Sequence, residues 1–472
     1  MSTSPIGTRT SAAPGAPGAP GAPGAPGAPA APGAPAEATG PAPLDFDEIV
    51  ALDAGNVMQT YGRAPVAFVR GEGTVLYDAA GRRYLDFLSG LAVTSLGHAH
   101  PAVAEALAAQ ASTLLHVSNL YYNAVQPQVA ARLNALLGGD GRVFFCNSGA
   151  EANECAIKLA RRYGQTHGGP QRFHVVSAYG SFHGRTLTTL AATGQPQKQE
   201  TFQPLPVGFR QVAFADVDAL TAALDERVCA VLLEPVQGEG GVQPAPPGYL
   251  EAVRTLCDER EVLLVMDEVQ TGLGRTGAWF GFQHADVRPD VVTMAKALGN
   301  GVPIGACWAR DEVAAAFAPG DHATTFGGQP LAASAALATL GVMEAEDVPR
   351  RAAAAGARIT DALQATAGVR AVRGLGLLIA AELAPGIDAK VVAETCLARG
   401  LVLNAVTPTA LRLAPPLLVD DAEIAEAVAI LAAVLADCRS GAAGPETADD
   451  ARIGGAVEGT TAGRHDEEGA DR

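Results

Sequence analysis

Lysine is scarce in this 472-residue chain: Lys158, Lys198, Lys296 and Lys390 are the only four. Lys296 ends the run Asp290-Val-Val-Thr-Met-Ala-Lys296 and precedes Ala-Leu-Gly-Asn-Gly-Val-Pro. The first stretch reads as a buried strand and the second as a turn of small residues. Partial desolvation at a strand end lowers the pKa of an amine and makes it a usable nucleophile. Upstream, Glu261-Val-Leu-Leu-Val-Met-Asp267 places a carboxylate at the end of another apolar strand. A lysine able to form a Schiff base and an acid able to face a pyridinium nitrogen are two groups that pyridoxal phosphate needs.

Other segments add to this pair. Asn147-Ser148-Gly149-Ala150-Glu151-Ala152-Asn153-Glu154 follows a strand and opens a helix expected to end near Gly164. Ser148 suits a cap, and the free N–H groups at such a helix start suit a phosphate; a plain capped helix with a Glu154–Lys158 pair is the alternative. In Ser181-Phe182-His183-Gly184-Arg185-Thr186, Phe182 could stack on a flat heterocycle and Arg185 could fork a carboxylate. His183 is given no catalytic role. Glu234-Pro-Val-Gln-Gly-Glu239-Gly-Gly reads either as a surface loop or as a movable carboxylate that pairs with an arginine when no substrate carboxylate is present. His322-Ala-Thr324-Thr325-Phe-Gly-Gly offers two hydroxyls to a phosphate. Arg412, set between leucines in Leu411-Arg-Leu-Ala-Pro-Pro, needs an anionic partner, either a permanent one or a substrate. Gly272, Gly274 and Gly277 satisfy GxGxxG, but the aromatic run Ala-Trp-Phe-Gly-Phe follows instead of an amphipathic helix, so a dinucleotide site is rejected. The Asp267-Glu268 pair likewise lacks the GxxxxGK[ST] loop of an ATPase.

These residues need a scaffold. Short, continuously apolar strands at 142–146, 173–177, 228–234, 261–267, 290–294 and 304–308 alternate with helices such as Tyr249 to Glu259. Strands of that kind are buried on both faces, which predicts an α/β fold with a mostly parallel sheet covered by helices. The division expected is a large domain over 98–335 and a smaller α+β domain over 336–438. The segment 44–97, with a hairpin near Thr74 to Phe87, joins the smaller domain. Residues 1–43 carry a Gly-Ala-Pro repeat, residues 439–472 hold eight acids against three arginines from Gly441 onward, and both are expected to be disordered tails. The formal charge of −17 argues against nucleic acid. No apolar run is long enough for a bilayer. Seven cysteines without metal-like spacing suggest core filler and a reducing, cytoplasmic setting, and no metal site is expected.

In order, NSGAEANE, FHGRT, EPVQGEGG, DEVQTGLGRTG, AKALGNGVPIGA and TTFGG resemble the class III (ω-amino) aminotransferases of the fold type I pyridoxal-phosphate enzymes. The resemblance covers about Leu44 to Ala436. It implies that Lys296 carries pyridoxal 5'-phosphate and moves the proton, and that Asp267 holds the ring nitrogen. Gln270 would meet the ring hydroxyl, while Val269 and Phe182 cover the two ring faces. Gly149 and Ala150 would bind phosphate, joined by Thr325 of a second subunit in a homodimer with shared sites. Arg185 and Thr324 would hold the acyl end of the amine donor. Arg412 would take the α-carboxylate of glutamate or 2-oxoglutarate, with Glu239 masking it in the other half-reaction. The run His116-Val-Ser-Asn-Leu-Tyr-Tyr122 is similar to the acetylornithine branch. Ornithine, succinyl-diaminopimelate or 4-aminobutyrate is the alternative donor.

Overall fold

Apolar runs without polar alternation make strands that have no solvent side, and such strands form the centre of this fold. The computed structural model describes residues 44–440. In it seven strands share one sheet: β1 (Gly141–Cys146), β2 (His174–Ala178), β3 (Phe209–Val212), β4 (Val228–Leu233), β5 (Leu263–Asp267), β6 (Val291–Met294) and β7 (Gly305–Arg310). Their spatial order is β1-β7-β6-β5-β4-β2-β3. Pairing is parallel from β6 through β5, β4 and β2 to β3. Strand β7 runs antiparallel between β6 and β1. The α/β class and the mostly parallel sheet agree with expectation, and β4, β5 and β6 are buried along their whole length.

Parallel neighbours require helical crossovers. The helix Gly149–Gly168 carries the chain from the edge strand β1 to β2 on the far side of the sheet, while Tyr249–Glu259 links the neighbours β4 and β5. Ser148 caps the first of these in extended backbone, its Oγ accepting the Glu151 N–H at 3.2 Å. That helix does not stop at Gly164. A Cβ there would lie 2.5 Å from Cys229 Cβ and 2.6 Å from the Arg172 carbonyl oxygen, so Gly164 lets the helix lie against the sheet rather than ending it. The Glu154–Lys158 pair is also absent. Glu154 accepts from Thr186 Oγ1 at 2.6 Å, and Lys158 Nζ donates to the Asp321 carbonyl at 3.0 Å.

Two four-stranded sheets and a two-stranded one, Val236–Gln237 with Gln243–Pro244, accompany the large sheet among the described residues. Phe68–Glu72, Val75–Asp78 and Arg83–Asp86 form an antiparallel meander that includes the expected hairpin, and Leu401–Val402 adds to it in parallel. Val369–Leu375, Leu378–Leu383, Ala410–Leu413 and Asn404–Thr407 pair antiparallel in that order. The sequence showed only Ala410 to Pro415 of this sheet as strand-like. Val369–Leu375 and Asn404–Thr407 are only part-buried, and Gly374 and Gly376 break the run between Val369–Leu375 and the buried Leu378–Leu383, which masks the pattern. The last helix, Asp421–Ser440, runs two residues into the segment expected as an acidic tail; the rest of that tail and the Gly-Ala-Pro repeat lie outside the described residues. Among the described residues no helix is long and apolar enough to cross a membrane.

Because Gly164 has no room for a side chain, Gly164→Val should overpack the helix–sheet contact and lower stability by about 1–3 kcal/mol. A urea midpoint equal to that of the unaltered protein would contradict this account.

Candidate active site

The carboxyl ends of the parallel strands converge on one crevice, the place where open α/β sheets hold their ligands. Strand β1 leads to Asn147 and Ser148, β2 to Phe182, His183 and Arg185, β4 to Glu234 and Glu239, β5 ends in Asp267, and β6 leads to Lys296. All of them line a cavity of about 470 Å³, together with Gly149, Ala150, Val269 and Gln270. Sequence-distant groups thus meet because each sits at the same end of its strand.

Asp267 is the most enclosed of the acids expected here. Its Oδ2 accepts from Asn153 Nδ2 at 2.7 Å and lies 2.8 Å from His183 Nδ1, and its Oδ1 accepts the Val269 N–H at 3.1 Å. With Nδ1 protonated, His183 donates to that carboxylate. Asn153 is fixed in turn, since its Oδ1 accepts from Thr293 Oγ1 at 2.8 Å and its Nδ2 also reaches the His183 carbonyl. The lone histidine left without a role in the sequence is therefore a positioning residue for Asp267. The Asn153 of NSGAEANE is another. Neither carries a signal in one dimension beyond its neighbours.

Lys296 opens a short 3₁₀ turn, Lys296–Gly299, with its own backbone at φ +32°. Such a conformation costs a side-chain-bearing residue energy and is held here by its surroundings. Asn300 ends the turn at φ +47°, and its side chain accepts the Leu96 N–H and donates to the Gly97 carbonyl. Burial pushes the Lys296 ammonium down to about 8, partly opposed by the negative charge of Glu239. Glu234 was not singled out by sequence, although it ends an apolar strand just as Asp267 does. Burial, reinforced by the charge of Asp267, raises its pKa well above the usual carboxylate range. Its Oε2 accepts the Phe182 N–H at 3.1 Å, which fixes the start of the aromatic loop.

The start of helix Gly149–Gly168 forms an anion cradle. The Glu151 N–H is taken by Ser148 Oγ and the Ala152 N–H by the Ser148 carbonyl; those of Gly149 and Ala150 have no partner among the described residues. A Cβ on Gly149 would sit 2.6 Å from Val269 Cγ1, so only glycine brings the backbone this close. Gln270 also lines the cavity, held beneath Gly238, where a Cβ would overlap Gln270 Oε1 at 1.5 Å.

Arg412 sits in a strand with only 1% of its side chain exposed, against 30% for Glu239. Arg412 Nη1 donates to Glu239 Oε1 at 2.5 Å, and its Nε donates to Asn404 Oδ1 at 3.1 Å. Burial works against ionising Glu239, but the charge and hydrogen bond of Arg412 outweigh it and hold the carboxyl below its usual range. The carboxylate of Glu239 thus lies against an arginine rather than in solvent alone. Arg185 is exposed and lines the same cavity. Thr324 and Thr325 are not brought there by their own chain. Thr324 Oγ1 accepts the Gly327 N–H at 3.2 Å, and Thr325 is exposed to solvent.

The residues present fit pyridoxal phosphate: two N–H groups at a helix start without a partner among the described residues, a buried carboxylate, an aromatic side chain and a lysine whose pKa burial lowers to about 8. Comparison with known proteins agrees. The family described as aminotransferase class-III matches residues 57–435. The chain is 48% identical over 372 residues to the acetylornithine aminotransferase of Methanocaldococcus jannaschii, covering 78% of this chain and 92% of that one. It is 50% identical over 386 residues to the acetylornithine aminotransferase of Gloeobacter violaceus, covering 81% and 96%. Among solved structures, the ornithine aminotransferase from Toxoplasma gondii matches with a TM-score of 0.81 at 34% identity, over 84% of this chain and 96% of that one. The acetylornithine aminotransferase from Elizabethkingia anophelis matches with 0.74 at 30%, over 84% and 100%. With the crevice, its lysine and its buried acid in place, the chain belongs to the class III aminotransferases and is a pyridoxal-phosphate-dependent enzyme.

Proposed function

We propose that this enzyme transfers the ω-amino group of N2-acetylornithine to 2-oxoglutarate, yielding N-acetylglutamate 5-semialdehyde and glutamate in a ping-pong cycle. The observation that carries the two-substrate part is the Arg412–Glu239 pair. It is a buried guanidinium whose carboxylate partner stands on a glycine loop and is itself part-exposed. While paired, it presents no free charge to an ω-amine donor. When Glu239 swings away, Arg412 takes the α-carboxylate of glutamate or 2-oxoglutarate. The acetylated donor is supported by the names and the 45–50% identities of the curated relatives. The second reading, ornithine as donor, is favoured by the likeness to the ornithine aminotransferases of Toxoplasma and Plasmodium, at lower identity.

Bound pyridoxal phosphate supplies an electrophilic aldehyde and an electron-withdrawing ring. The Gly149 and Ala150 N–H groups would hold its phosphate, Asp267 its ring nitrogen and Gln270 its ring hydroxyl. Phe182 and Val269 would cover the ring, and Lys296 would take the aldehyde. Lys296 Nζ then takes up and returns the substrate proton, a task suited to an amine whose pKa lies near the working pH. Asn153 and His183 keep the Asp267 oxygens in place throughout.

The same reading makes the molecule a homodimer, with Thr325 reaching the phosphate site of a second copy and Thr324 its donor end. Leu120, Tyr121 and Tyr122, which follow Asn119, and Phe326 in this loop are exposed. Asn119 Nδ2 bonds the Thr324 and Gly327 carbonyls, while the His116 and Phe326 rings lie 5.3 Å apart. Clustered exposed apolar side chains favour a protein partner. Seven free cysteines suit a reducing, cytoplasmic compartment.

The purified enzyme should be yellow, and borohydride reduction followed by peptide mapping should place the tag on Lys296. A tag on Lys158, Lys198 or Lys390 would refute the assignment. Below pH 8 the Lys296 amine is protonated and inert; the uptake rate of cofactor by the apoprotein should therefore climb about tenfold per pH unit and level off above about 8. A rate independent of pH from 6 to 8 would rule this out. Arg412→Ala should slow the glutamate half-reaction by about 100-fold or more while sparing the ω-amine half-reaction, as stopped-flow absorbance would show. Equal losses in both halves would argue against the gate. Tyr121→Asp with Tyr122→Asp should give single-chain mass by light scattering and release cofactor.

A further inference from the structure

Phe182 has two cations over its ring. The Arg185 guanidinium carbon is 5.7 Å and Lys198 Nζ 5.2 Å from the ring centroid. Lys198 lies on the short helix Pro196–Gln199 and had no part in the sequence assignment. Its hydrogen-bond acceptor is a neutral amide, Gln195 Oε1. Neither cation has a carboxylate in an ion pair among the described residues, and the nearby acid, Glu239, is occupied by Arg412. Burial, and the adjoining charge of Arg185, both lower the Lys198 pKa. Two like charges facing one half-buried ring repel each other, and an entering anion relieves that repulsion. With Arg412 allotted to glutamate, the Arg185–Lys198 pair is the cationic site left for the donor.

We propose that Lys198 acts with Arg185 as a two-cation clamp for the carboxylate of the amine donor, and so sets the preference for carboxylate-bearing over carboxylate-free ω-amines. The flexible ammonium complements the planar guanidinium: Arg185 gives a fork, Lys198 a mobile point charge. This assignment rests on the acetylornithine reading. A lysine that merely propped the Phe182 ring would affect every donor alike.

The test uses the full-length holoenzyme with Lys198→Gln and Lys198→Arg, and two donors: N2-acetylornithine and N-acetylputrescine, the same molecule without its carboxylate. In Lys198→Gln the ratio of kcat/KM for N2-acetylornithine to that for N-acetylputrescine should fall about tenfold, through KM rather than kcat, and Lys198→Arg should restore most of it. Calorimetry with N2-acetylnorvaline, which keeps the acyl group and carboxylate but has no ω-amine, should show a similar loss of affinity. Lys198→Met, which keeps the alkyl stem over the ring, repeats the measurement if the glutamine variant loses cofactor. An unmoved ratio, an unmoved affinity, or an equal fall in kcat for both donors overturns the clamp. Failure of the unaltered enzyme to turn over N2-acetylornithine overturns the donor reading itself, and is seen before any variant is made.

Discussion

The carboxylate of Asp267, buried at the end of a central strand, is the constraint around which the site is organised. A buried carboxylate without donors is costly, so the fold must supply them. It does so from three directions: Asn153 from the helix after β1, His183 from the loop after β2, and the Val269 N–H from its own turn. Thr293 on β6 then holds Asn153. One acid therefore couples four elements that also carry the anion cradle, the aromatic side chain and the reactive lysine. Displacing any of them would disturb the others.

Charge balance in the crevice follows the same economy of groups. Lys296 feels the charges of Glu239, Arg412, Asp267 and Glu234, and Lys198 those of Arg185 and Glu239, in a setting where electrostatic interactions are only weakly screened. Burial decides the direction for the most enclosed members: it drives the lysine toward its neutral form and Glu234 toward its protonated form. Pairing decides it for Glu239, which stays charged because Arg412 is beside it. The enzyme thus keeps an amine that loses its proton more readily than an ordinary lysine close to a masked guanidinium.

Much of this was legible in one dimension because buried parallel strands leave a plain mark. Apolar runs ending in Asp267 or leading to Lys296 announced both the sheet and the edge at which its chemistry sits. Glycine at 149 and serine at 148 marked the helix start. Other features left no such mark. Gly164 looked like a helix stop but serves a close contact with Cys229. Glu154 and Lys158 had the spacing of a helical pair, yet tertiary partners on other elements took both. The four-stranded sheet that bears Arg412 was masked by two part-buried strands and by the glycines at 374 and 376.

The sequence by itself determined which groups were available and the local geometry that aims them: strand ends, a capped helix, a small-residue turn after the lysine. Periodicity and turn chemistry act over a few residues, and that range suffices for such assignments. Only the tertiary structure decided partners. That His183 serves Asp267, that Glu239 reaches Arg412 across the chain, and that Lys198 stands beside Arg185 over one ring depend on contacts between residues far apart in sequence. Such contacts are set by packing of whole elements, and no short window of residues encodes them.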